Sequence, residues 1–598
     1  MQQYSLHLFD DITELVILTL DKLATKEEVE IPDELINRIT LEPPRDQNHG
    51  EMSSNVAMVC AKIFKRKPID LAYKFVCSLK QDQRISNIDI VRPGFINLTL
   101  QSDIWYCFLH QLMQTPEHFV PPDLGQKTQI NVEYVSANPT GPLHLGHIRG
   151  AVFGDVLANI LEACNYRVVK EYYVNDAGGQ IDILTRSAMY RYLEALGYEV
   201  GEMESDMYPG QYLKVFAAHL SQKFGTRFID DQHTQADRFK NISVEFRALV
   251  VDGMLSLIKD DLASLGIHQQ VFTSERELVE RGSVDEAFKK LYDDGLIYQG
   301  VLPPPKGKID EEWEAAEQTI FRSTDFGDDS DRVLKKSDGS WTYFASDVAN
   351  HYHKYKRGFN LQINVFGADH AGYICRLRSV VKALSKDQAN LEVLVCQMVR
   401  LIENGKPYKM SKRAGNFVTL RELVQLVGKD ATRFFMLMRR NDAALNFDLD
   451  LARSTSHENP IFYVQYAHAR TFSLEKNMRS QLGEAALERA RNASLKDLHR
   501  LTRESEMHLI RKLAQWPRLM LSSARTREPH RLAYYLIDLA SLFHRLWNEK
   551  SFDGDDMRFI IAEDLQKSCA RIALALAVRM VLAKGLNVIS IQPCEELR

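Results

Sequence analysis

A proline-rich turn that runs into a His-x-Gly-His sequence, at residues 139–147, constrains the fold of this 598-residue chain more than any other feature. Residues 129–135 before it are rich in β-branched and aromatic side chains, which predicts a strand. Residues 147–165 after it carry apolar side chains at helical spacing. Strand, turn and helix in this order open a parallel α/β sheet, in which ligands bind at the carboxyl ends of strands.

The chemistry available at this turn suits a nucleotide. A helix N-terminus presents free N–H groups and a positive dipole to phosphate, and a glycine at position 146 allows close approach of the backbone. His144 and His147 add hydrogen-bond donors. The run Lys-Met-Ser-Lys at 409–412 follows a strand-like stretch and a turn, so it predicts a cationic loop that closes over a triphosphate. We therefore predict that ATP is cleaved at its α–β bond, with His144, His147, Lys409 and Lys412 as the catalytic residues.

Several longer stretches share the sequence features of one family. They are Val-Glu-Tyr-Val-Ser-Ala-Asn-Pro-Thr-Gly-Pro-Leu-His-Leu-Gly-His at 132–147, Glu-Tyr-Tyr-Val-Asn-Asp-Ala-Gly at 171–178, Phe-Gly-Asp-Asp-Ser-Asp-Arg at 326–332 and Gly-Ala-Asp-His at 367–370. With these motifs the chain resembles the class I aminoacyl-tRNA synthetases, and most closely the arginyl-tRNA synthetase family. The resemblance runs nearly end to end. It implies that ATP, L-arginine and tRNA(Arg) give arginyl-tRNA, AMP and pyrophosphate, and that tRNA is needed for activation of the amino acid.

The resemblance also implies two sets of binding residues. The ATP-binding set is Pro139, Thr140, Gly141, His144, Gly146, His147, Gly367, Asp369, Met410 and Ser411. The arginine-binding set is Glu133, Ser136, Asn138, Tyr343, Asp347 and His370, the last at a position where relatives can carry Gln. Tyr343 and Asp347 lie one helical turn apart, so a phenol and a carboxylate share a face on which a flat cation can bind.

The predicted fold is a multidomain α/β protein. We expect an N-terminal α+β domain at 1–120, a Rossmann-like parallel-sheet catalytic domain at 121–420 with an insertion at about 187–333, a linking module at 421–456 and an all-α domain at 457–598. The resemblance implies that the first domain contacts the tRNA elbow and that the last binds the anticodon. Within these domains we expect helices at 12–22 and 53–65, strands at 88–91 and 95–100, and a buried helix over 571–583 that ends at Gly585.

The RNA partner follows from the resemblance and not from charge. The chain has 75 Lys and Arg against 80 Asp and Glu, and this balance does not argue for or against nucleic acid. Basic and aromatic residues interleave in the last third, a pattern that also fits ordinary amphipathic helices. The candidate tRNA-binding residues are Asn55, Arg433, Arg439, Arg440, Tyr466 and Arg470.

Composition narrows the cofactors and the compartment. The eight cysteines are scattered and form no Cys-x-x-Cys pair, so we expect no zinc and no disulfide framework. Mg²⁺ is expected with ATP, held mainly by phosphates and water, and we name no protein metal ligand. Residues 1–5 lack the basic and apolar regions of a signal peptide. We expect a cytoplasmic protein that does not span a membrane, and by family habit a monomer.

Three other functions share part of this pattern. A class I synthetase for another amino acid would keep the nucleotide motifs, but a glutamate pocket needs cationic side chains and a cysteine pocket relies on zinc. A non-catalytic tRNA-binding protein on the same scaffold would have lost part of the catalytic set, which is complete here. A small-molecule adenylyltransferase shares His-x-Gly-His and leaves the flanking domains unexplained.

Overall fold

The computed structural model describes residues 5–44, 46, 49–229, 239, 242–303, 316–408, 418–550 and 557–597, without the side chains of residues 370 and 371. The chain forms two compact units. The first comprises Met1–Leu124, Ser456–Arg527 and Arg531–Arg598, and the second comprises Gly125–Thr455 and Glu528–His530. The predicted α/β class is confirmed, whereas the four domain boundaries stay a prediction.

A five-stranded parallel sheet forms the centre of the second unit. Its strands, in spatial order, are Asn390–Cys396, Leu361–Gly367, Gln129–Tyr134, Arg167–Val174 and Val271–Ser274. Numbered by their order in the chain, these five strands are the fifth, fourth, first, second and third, so the direction of winding reverses between the fourth and the first strand. A crevice opens outside the carboxyl ends of two strands at such a reversal, and ligands bind there. The third strand lies inside the segment 187–333 that the sequence assigned to an insertion.

The second unit also contains two small sheets and a set of helices. One sheet joins Arg332–Lys335, Gln318–Phe321 and Ile297–Gly300, and the other joins Lys406–Pro407, Val399–Glu403 and Leu445–Asp448. The α-helices are Leu145–Ala163, Gly179–Ala195, Gln211–Phe224, Val244–Ser264, Glu275–Glu280, Ser283–Asp293, Tyr343–Lys356, Ile374–Ser385, Leu420–Val427, Lys429–Met436 and Leu449–Arg453. The 3-10 helices are Ser323–Phe326 and Ala368–Tyr373.

Close packing of a glycine sets the distance between the first strand and the helix Leu145–Ala163. A Cβ atom added at Gly154 would come within 2.4 Å of Tyr134 Cγ. Tyr134 is fully buried and ends the strand. Because no larger residue fits between them, the helix lies tight against the sheet and starts just beyond the carboxyl end of the strand.

A buried ionic cluster fixes the middle of the same helix. Asp155 is 2% exposed, and its two oxygens accept from Arg433 Nη2 at 2.6 Å and from Lys170 Nζ at 2.8 Å. Arg433 also donates to the Leu265 carbonyl at 3.0 Å. The helix Lys429–Met436 is thereby tied to the helix Leu145–Ala163 by buried, charge-assisted bonds.

The first unit combines a small α+β module with a helical bundle. Its antiparallel sheet has the order Leu41–Glu42, Met52–Ser54, Phe95–Leu100, Ile85–Val91. Its first α-helices are Leu8–Glu27, Asp33–Ile36, Val56–Cys60, Pro68–Leu79 and Ser102–Gln114, with the 3-10 helix Pro116–His118. The bundle helices are Pro460–Leu482, Glu484–Arg491, Leu495–Leu498, Glu504–Ala514, Trp516–Thr526, His530–Trp547 and Leu565–Val588.

Two helices predicted in this unit are present, but their predicted limits are wrong: the helix predicted over 53–65 spans only Val56–Cys60. Ser53 lies in a strand and not at the start of a helix, and its hydroxyl bonds to Asn97 of the neighbouring strand at 2.6 Å. The long buried helix does not end at Gly585 but continues to Val588. A Cβ at Gly585 would meet the Leu536 side chain at 2.5 Å, so this glycine permits two helices to approach each other rather than ending one.

In the described part of the chain, no helix combines the length and the apolar character needed to cross a bilayer.

Two alanine substitutions in one helix should have opposite effects on stability. Gly154→Ala should lower the free energy of unfolding by about 1–3 kcal/mol, because its methyl group overlaps the Tyr134 ring. Gly150→Ala is the matched control. Its Cβ would lie 3.9 Å from Val365 Cγ1, so it should be neutral or gain up to about 1 kcal/mol from helix propensity. Thermal unfolding of both variants measures the difference, and equal shifts would contradict the packing argument.

Candidate active site

The site lies where the first strand leads into the helix Leu145–Ala163, at the point where the winding of the sheet reverses. Val135 and Ser136 follow the strand directly and have positive φ values of 73° and 40°. A β-branched residue in the left-handed region is an outlier that surrounding contacts must hold in place, and such residues concentrate at functional sites. Ser136 Oγ accepts from the Tyr173 N–H at 3.0 Å and donates to Glu133 Oε1 at 3.1 Å.

The two histidines of the predicted nucleotide site form the start of the helix. His144 is the N-cap, and its Nδ1 accepts from the Gly146 N–H at 3.2 Å. The His144 N–H in turn donates to His147 Nδ1 at 3.3 Å. The ring centroids lie 4.0 Å apart. Since backbone N–H groups occupy both Nδ1 atoms as acceptors, the proton of each neutral ring resides on Nε2, where it can be donated to a ligand.

Burial keeps both rings neutral. It lowers the pKa of His144, and it lowers the pKa of His147 to about 4, with the proximity of His144 as a second cause and the charge of Asp369 opposing both. Asp369 follows the fourth strand, on the other side of the crevice. Gly367 ends that strand, and a Cβ atom added to Gly367 would lie 2.5 Å from Asp369 Oδ1. The predicted ATP-binding residues Gly367 and Asp369 thus face the histidines across the crevice.

The loop between strand and helix is held by its neighbours. The Thr140 carbonyl accepts from the Tyr212 hydroxyl at 2.6 Å, and a Cβ at Gly141 would meet that tyrosine ring at 2.8 Å. Pro139 is buried. Asn138 Nδ2 donates to Gln180 Oε1 at 2.6 Å.

The chain that follows the predicted cationic loop is bound to the histidine turn. The Leu145 N–H donates to the Val418 carbonyl at 2.9 Å, and the Leu420 N–H donates to the Leu143 carbonyl at 2.8 Å. His144 and Thr419 form an antiparallel bridge between these bonds. The predicted residues Lys409, Met410, Ser411 and Lys412 lie outside the described residues, and so does the side chain of His370. Val418, the first described residue after them, lies beside the N-terminus of the helix Leu145–Ala163.

A buried ion pair supports the first carboxylate of the predicted arginine site. Glu133 is 5% exposed, and its Oε2 lies 2.5 Å from Nζ of Lys354, which is fully buried. Asn350 Nδ2 lies 3.4 Å from the same oxygen. Lys354 and Asn350 belong to the helix Tyr343–Lys356, which begins with Tyr343 and carries Asp347 one turn later. This helix therefore brings Tyr343 and Asp347, two of the predicted arginine-binding residues, close to Glu133 at the end of the first strand.

Three carboxylates converge in this pocket. The pKa of the partly buried Asp347 is raised to about 7, first by burial and then by the negative charges of Glu133 and Glu275, against the opposing effects of Tyr373 and Arg376. Glu275 is 4% exposed, and burial also raises its pKa. Such a concentration of acidic groups, incompletely neutralised, suits a cationic ligand.

Sequence reasoning missed Glu275 and Asn175. Glu275 follows the third strand directly, and Asn175 follows the second. The side-chain amide of Asn175 bonds to the Tyr343 hydroxyl. When the amide oxygen of Asn175 accepts this bond, the amide nitrogen of Asn175 lies 2.7 Å from Glu275 Oε2. For Glu275 the sequence does contain a signal, because this carboxylate follows the strand-like Val-Phe-Thr-Ser. The signal was overlooked because the sequence analysis assigned that segment to an insertion.

The predicted RNA-binding residues separate into buried and exposed groups. Arg433 is fully buried in its pair with Asp155, which argues against its predicted contact with RNA. Asn55 bonds to the backbone at Thr40 and Arg38 and so stabilises a turn. Arg439 and Arg440 are exposed.

The backbone of Arg439 and Arg440 is held by a residue of the helix Leu145–Ala163. The buried Arg149 donates to the carbonyls of Arg440 at 2.6 Å and Arg439 at 3.4 Å, and to those of Gln397 and Ala443 at 2.9 and 2.7 Å. The segment that presents the two exposed arginines is therefore tied to the helix that starts with the histidines.

Tyr466 and Arg470 form a cation–π arrangement in the helical bundle. The Arg470 guanidinium lies 4.3 Å from the Tyr466 ring centroid and 4.7 Å from that of Trp547. Tyr466 is 38% exposed. Flat aromatic and guanidinium surfaces of this kind stack on unpaired bases, and the contact with RNA stays a prediction.

Among the described residues, no group of three or more His, Cys, Asp and Glu side chains is arranged to hold a metal ion.

Comparison with known proteins agrees with this geometry. A family model described as the tRNA synthetases class I (R) catalytic domain matches residues 109–203. Others, described as the arginyl tRNA synthetase N terminal domain and the DALR anticodon binding domain, match residues 10–100 and 464–597. A parallel sheet with paired histidines at its first helix, joined to these domains, defines a class I aminoacyl-tRNA synthetase.

Similar sequences narrow the class to one family. Arginine–tRNA ligase of Parvibaculum lavamentivorans is 47% identical over 578 residues, covering 96% of this chain and 97% of its own, and that of Nitrobacter winogradskyi is 48% identical over 601 residues, covering 99% of each. This chain belongs to the arginyl-tRNA synthetase family.

Solved structures agree in fold. A putative arginyl-tRNA synthetase from Campylobacter jejuni superposes with a TM-score of 0.69 at 29% identity, over 83% of this chain and 100% of that one. Thermus thermophilus arginyl-tRNA synthetase superposes with a TM-score of 0.73 at 18% identity, over 99% and 100%. The second likeness shows a shared fold across nearly the whole chain.

The tautomer and charge of His147 can be measured directly. We expect ¹⁵N NMR of histidine-labelled protein to show a ring protonated at Nε2 and bare at Nδ1 at pH 7. Because burial lowers its pKa from 6.5 to about 4, the second proton should bind only as the pH falls through about 4. The signal missing from a His147→Gln variant assigns the resonance. A titration midpoint near 6.5, or a proton on Nδ1, would contradict the assignment.

Proposed function

We propose that this chain ligates L-arginine to tRNA(Arg) in two steps at the crevice of the parallel sheet. One observation carries the proposal: a helix N-terminus with two neutral histidine donors lies beside a pocket of three carboxylates. The first feature suits the phosphates of ATP, and the second suits the positively charged side chain of arginine. The family membership supports the same assignment.

In the first step the carboxylate of arginine attacks the α-phosphorus of ATP. A new P–O bond forms, the bond between the α-phosphorus and the bridging oxygen breaks, and pyrophosphate leaves. His144 and His147 donate through Nε2 to phosphate oxygens as negative charge shifts onto them. Neutral rings are effective here, because donation is needed and proton transfer is not. Lys409 and Lys412 are proposed to neutralise the leaving pyrophosphate, together with Mg²⁺ held by phosphate oxygens.

Selection of the amino acid is assigned to the acidic pocket. Asp347, Glu275 and the Tyr343 hydroxyl hold the guanidinium, which has donors in a flat fork and no acceptor. Glu133, with Ser136 and Asn138, lies at the strand end next to the reacting carboxylate and is proposed to bind the α-ammonium. A glutamate substrate would meet like charges in this pocket, so the structure disfavours that alternative.

In the second step a hydroxyl of the 3′-terminal adenosine of tRNA attacks the carbonyl carbon of arginyl-adenylate, and AMP leaves. We propose that tRNA binding is required before the first step, that Arg439 and Arg440 contact the acceptor end, and that Tyr466 and Arg470 contact the anticodon loop. A monomer in the cytoplasm, where tRNA and ATP meet, is the proposed working form.

Charging of total tRNA with radiolabelled amino acids tests the function. Arginine should be loaded in an ATP-dependent reaction, and lysine and glutamate should not. Pyrophosphate exchange should be absent or very weak until tRNA is added. Equal charging with another amino acid, or no charging with arginine, would overturn the proposal.

The variant His147→Ala tests the catalytic role of this histidine in the same assay. It should lower the charging rate by about a hundredfold or more, since it removes a donor to the transition state. Binding of tRNA, measured by filter retention, should stay near the parental value because His147 is not one of the proposed RNA contacts. A variant that charges at the parental rate would remove His147 from the mechanism.

The arginine KM should depend on the protonation of Asp347. A cation binds the ionised carboxylate, and the pKa of Asp347 is raised to about 7, so KM should rise up to about tenfold for each pH unit below 7 and level off above it. Asp347→Asn should raise KM and abolish this dependence. The exposed Asp285→Asn is the control and should keep the parental profile. An unchanged pH profile in Asp347→Asn would contradict the assignment.

A further inference from the structure

The hydroxyl of Tyr173 is a buried polar group that folding leaves unsatisfied. Tyr173 lies near the carboxyl end of the second strand and is 9% exposed. Its hydroxyl is buried and has no hydrogen-bond partner within the described part of the chain. Since buried polar groups are nearly always paired in folded proteins, a buried hydroxyl left unpaired beside a binding pocket calls for a functional reason.

The surroundings of this hydroxyl are the walls of the acidic pocket. Residues 171 and 173 share one face of the strand, because side chains alternate. Glu171 on that face pairs with Arg357, the residue after the helix Tyr343–Lys356, at 2.9 Å. Burial raises the pKa of Tyr173, and the charges of Glu275, Asp347 and Glu133 raise it further, so the phenol keeps its proton.

Other buried tyrosines of the same unit are satisfied by the fold. The Tyr172 hydroxyl donates to the Ala137 carbonyl at 2.6 Å, and the Tyr190 hydroxyl donates to the Gly201 carbonyl at 2.7 Å. Tyr212 donates to the Thr140 carbonyl at 2.6 Å. The contrast shows that the unit readily provides acceptors for phenols, and that the exception coincides with the pocket.

We propose that Tyr173 is a specificity-determining residue whose oxygen accepts an N–H bond from the guanidinium of bound arginine. This inference rests on the proposed function. A guanidinium carries five N–H donors and an ammonium carries three. The carboxylates of the pocket can accept all three N–H bonds of an ammonium without the phenol. A guanidinium has two more N–H donors, and one of them can bond to the phenol oxygen. Lysine therefore leaves the Tyr173 hydroxyl unpaired, and a site that leaves a buried polar group unpaired rejects that ligand.

Tyr173→Phe separates this role from a structural one. Its KM for arginine should rise about tenfold, the size typical of a hydrogen bond to a charged group, with kcat within about twofold of the parent. The inhibition constant of lysine, measured as a competitor of arginine, should stay unchanged. The unfolding temperature should stay equal or rise, because the variant removes an unsatisfied buried group. A residue that only supports the fold would lower the unfolding temperature instead.

Tyr190→Phe is the matched control, since it also removes one buried hydroxyl but breaks an existing bond to Gly201. It should lower the unfolding temperature and keep the parental KM for arginine. The inference is overturned if Tyr173→Phe has the parental KM, if lysine inhibition weakens equally, or if the variant is destabilised as Tyr190→Phe is. The parental chain, assayed alongside, distinguishes the failures: a parent that does not charge arginine refutes the proposed function, and a charging parent with an unaffected variant refutes only the role of Tyr173.

Discussion

The buried ion pair between Lys354 and Glu133 joins the two elements that build the site. Glu133 lies on the strand that leads to the histidine turn, and Lys354 lies on the helix that begins with Tyr343 and carries Asp347. Two charges excluded from water stabilise one arrangement only when both are present, because either one alone is costly to bury. The pair thereby fixes where the helix lies over the sheet. The positions of the selective phenol and carboxylate relative to the nucleotide-binding turn follow from that placement.

The two sides of this crevice differ in the charge of the ligand that they suit. On one side, the start of the helix Leu145–Ala163 presents N–H groups and two histidines whose rings stay neutral through burial. On the other side, Asp347 and Glu275 retain proton affinity because they are buried close to like charge. In the proposed function, the phosphates of ATP and the guanidinium of arginine each find complementary partners on one side of the crevice. The strained backbone at Val135 and Ser136 lies between these two sides of the crevice, where the proposed mechanism brings the reacting carboxylate and phosphorus together.

Local sequence predicted a large part of the site. The turn at 139–147 between a strand and a helix was recognisable from its prolines, its glycines and the change of period, and the helical spacing of Tyr343 and Asp347 gave their common face. Glu275 was not recognisable, because its strand of four residues is shorter than the helices around it and looked like part of an insertion. Arg433 looked like a surface cation, since its partner Asp155 is 278 residues away in sequence. Gly585 was predicted to end a helix, because sequence alone does not distinguish a glycine that makes room for Leu536 from a glycine that ends a helix.

The sequence by itself predicted the parallel α/β class and the turn at 139–147, since these depend on periodicity and turn chemistry within short segments, and its family motifs implied arginine as the amino acid. Tertiary structure alone decided which carboxylates converge, which cations are buried and which tyrosine hydroxyl stays unpaired. These properties depend on the register of strands and the placement of one helix over the sheet, which bring residues more than a hundred positions apart into contact. A local sequence pattern does not predict the burial or the pairing of a residue, because both depend on the residues that surround it in the folded structure.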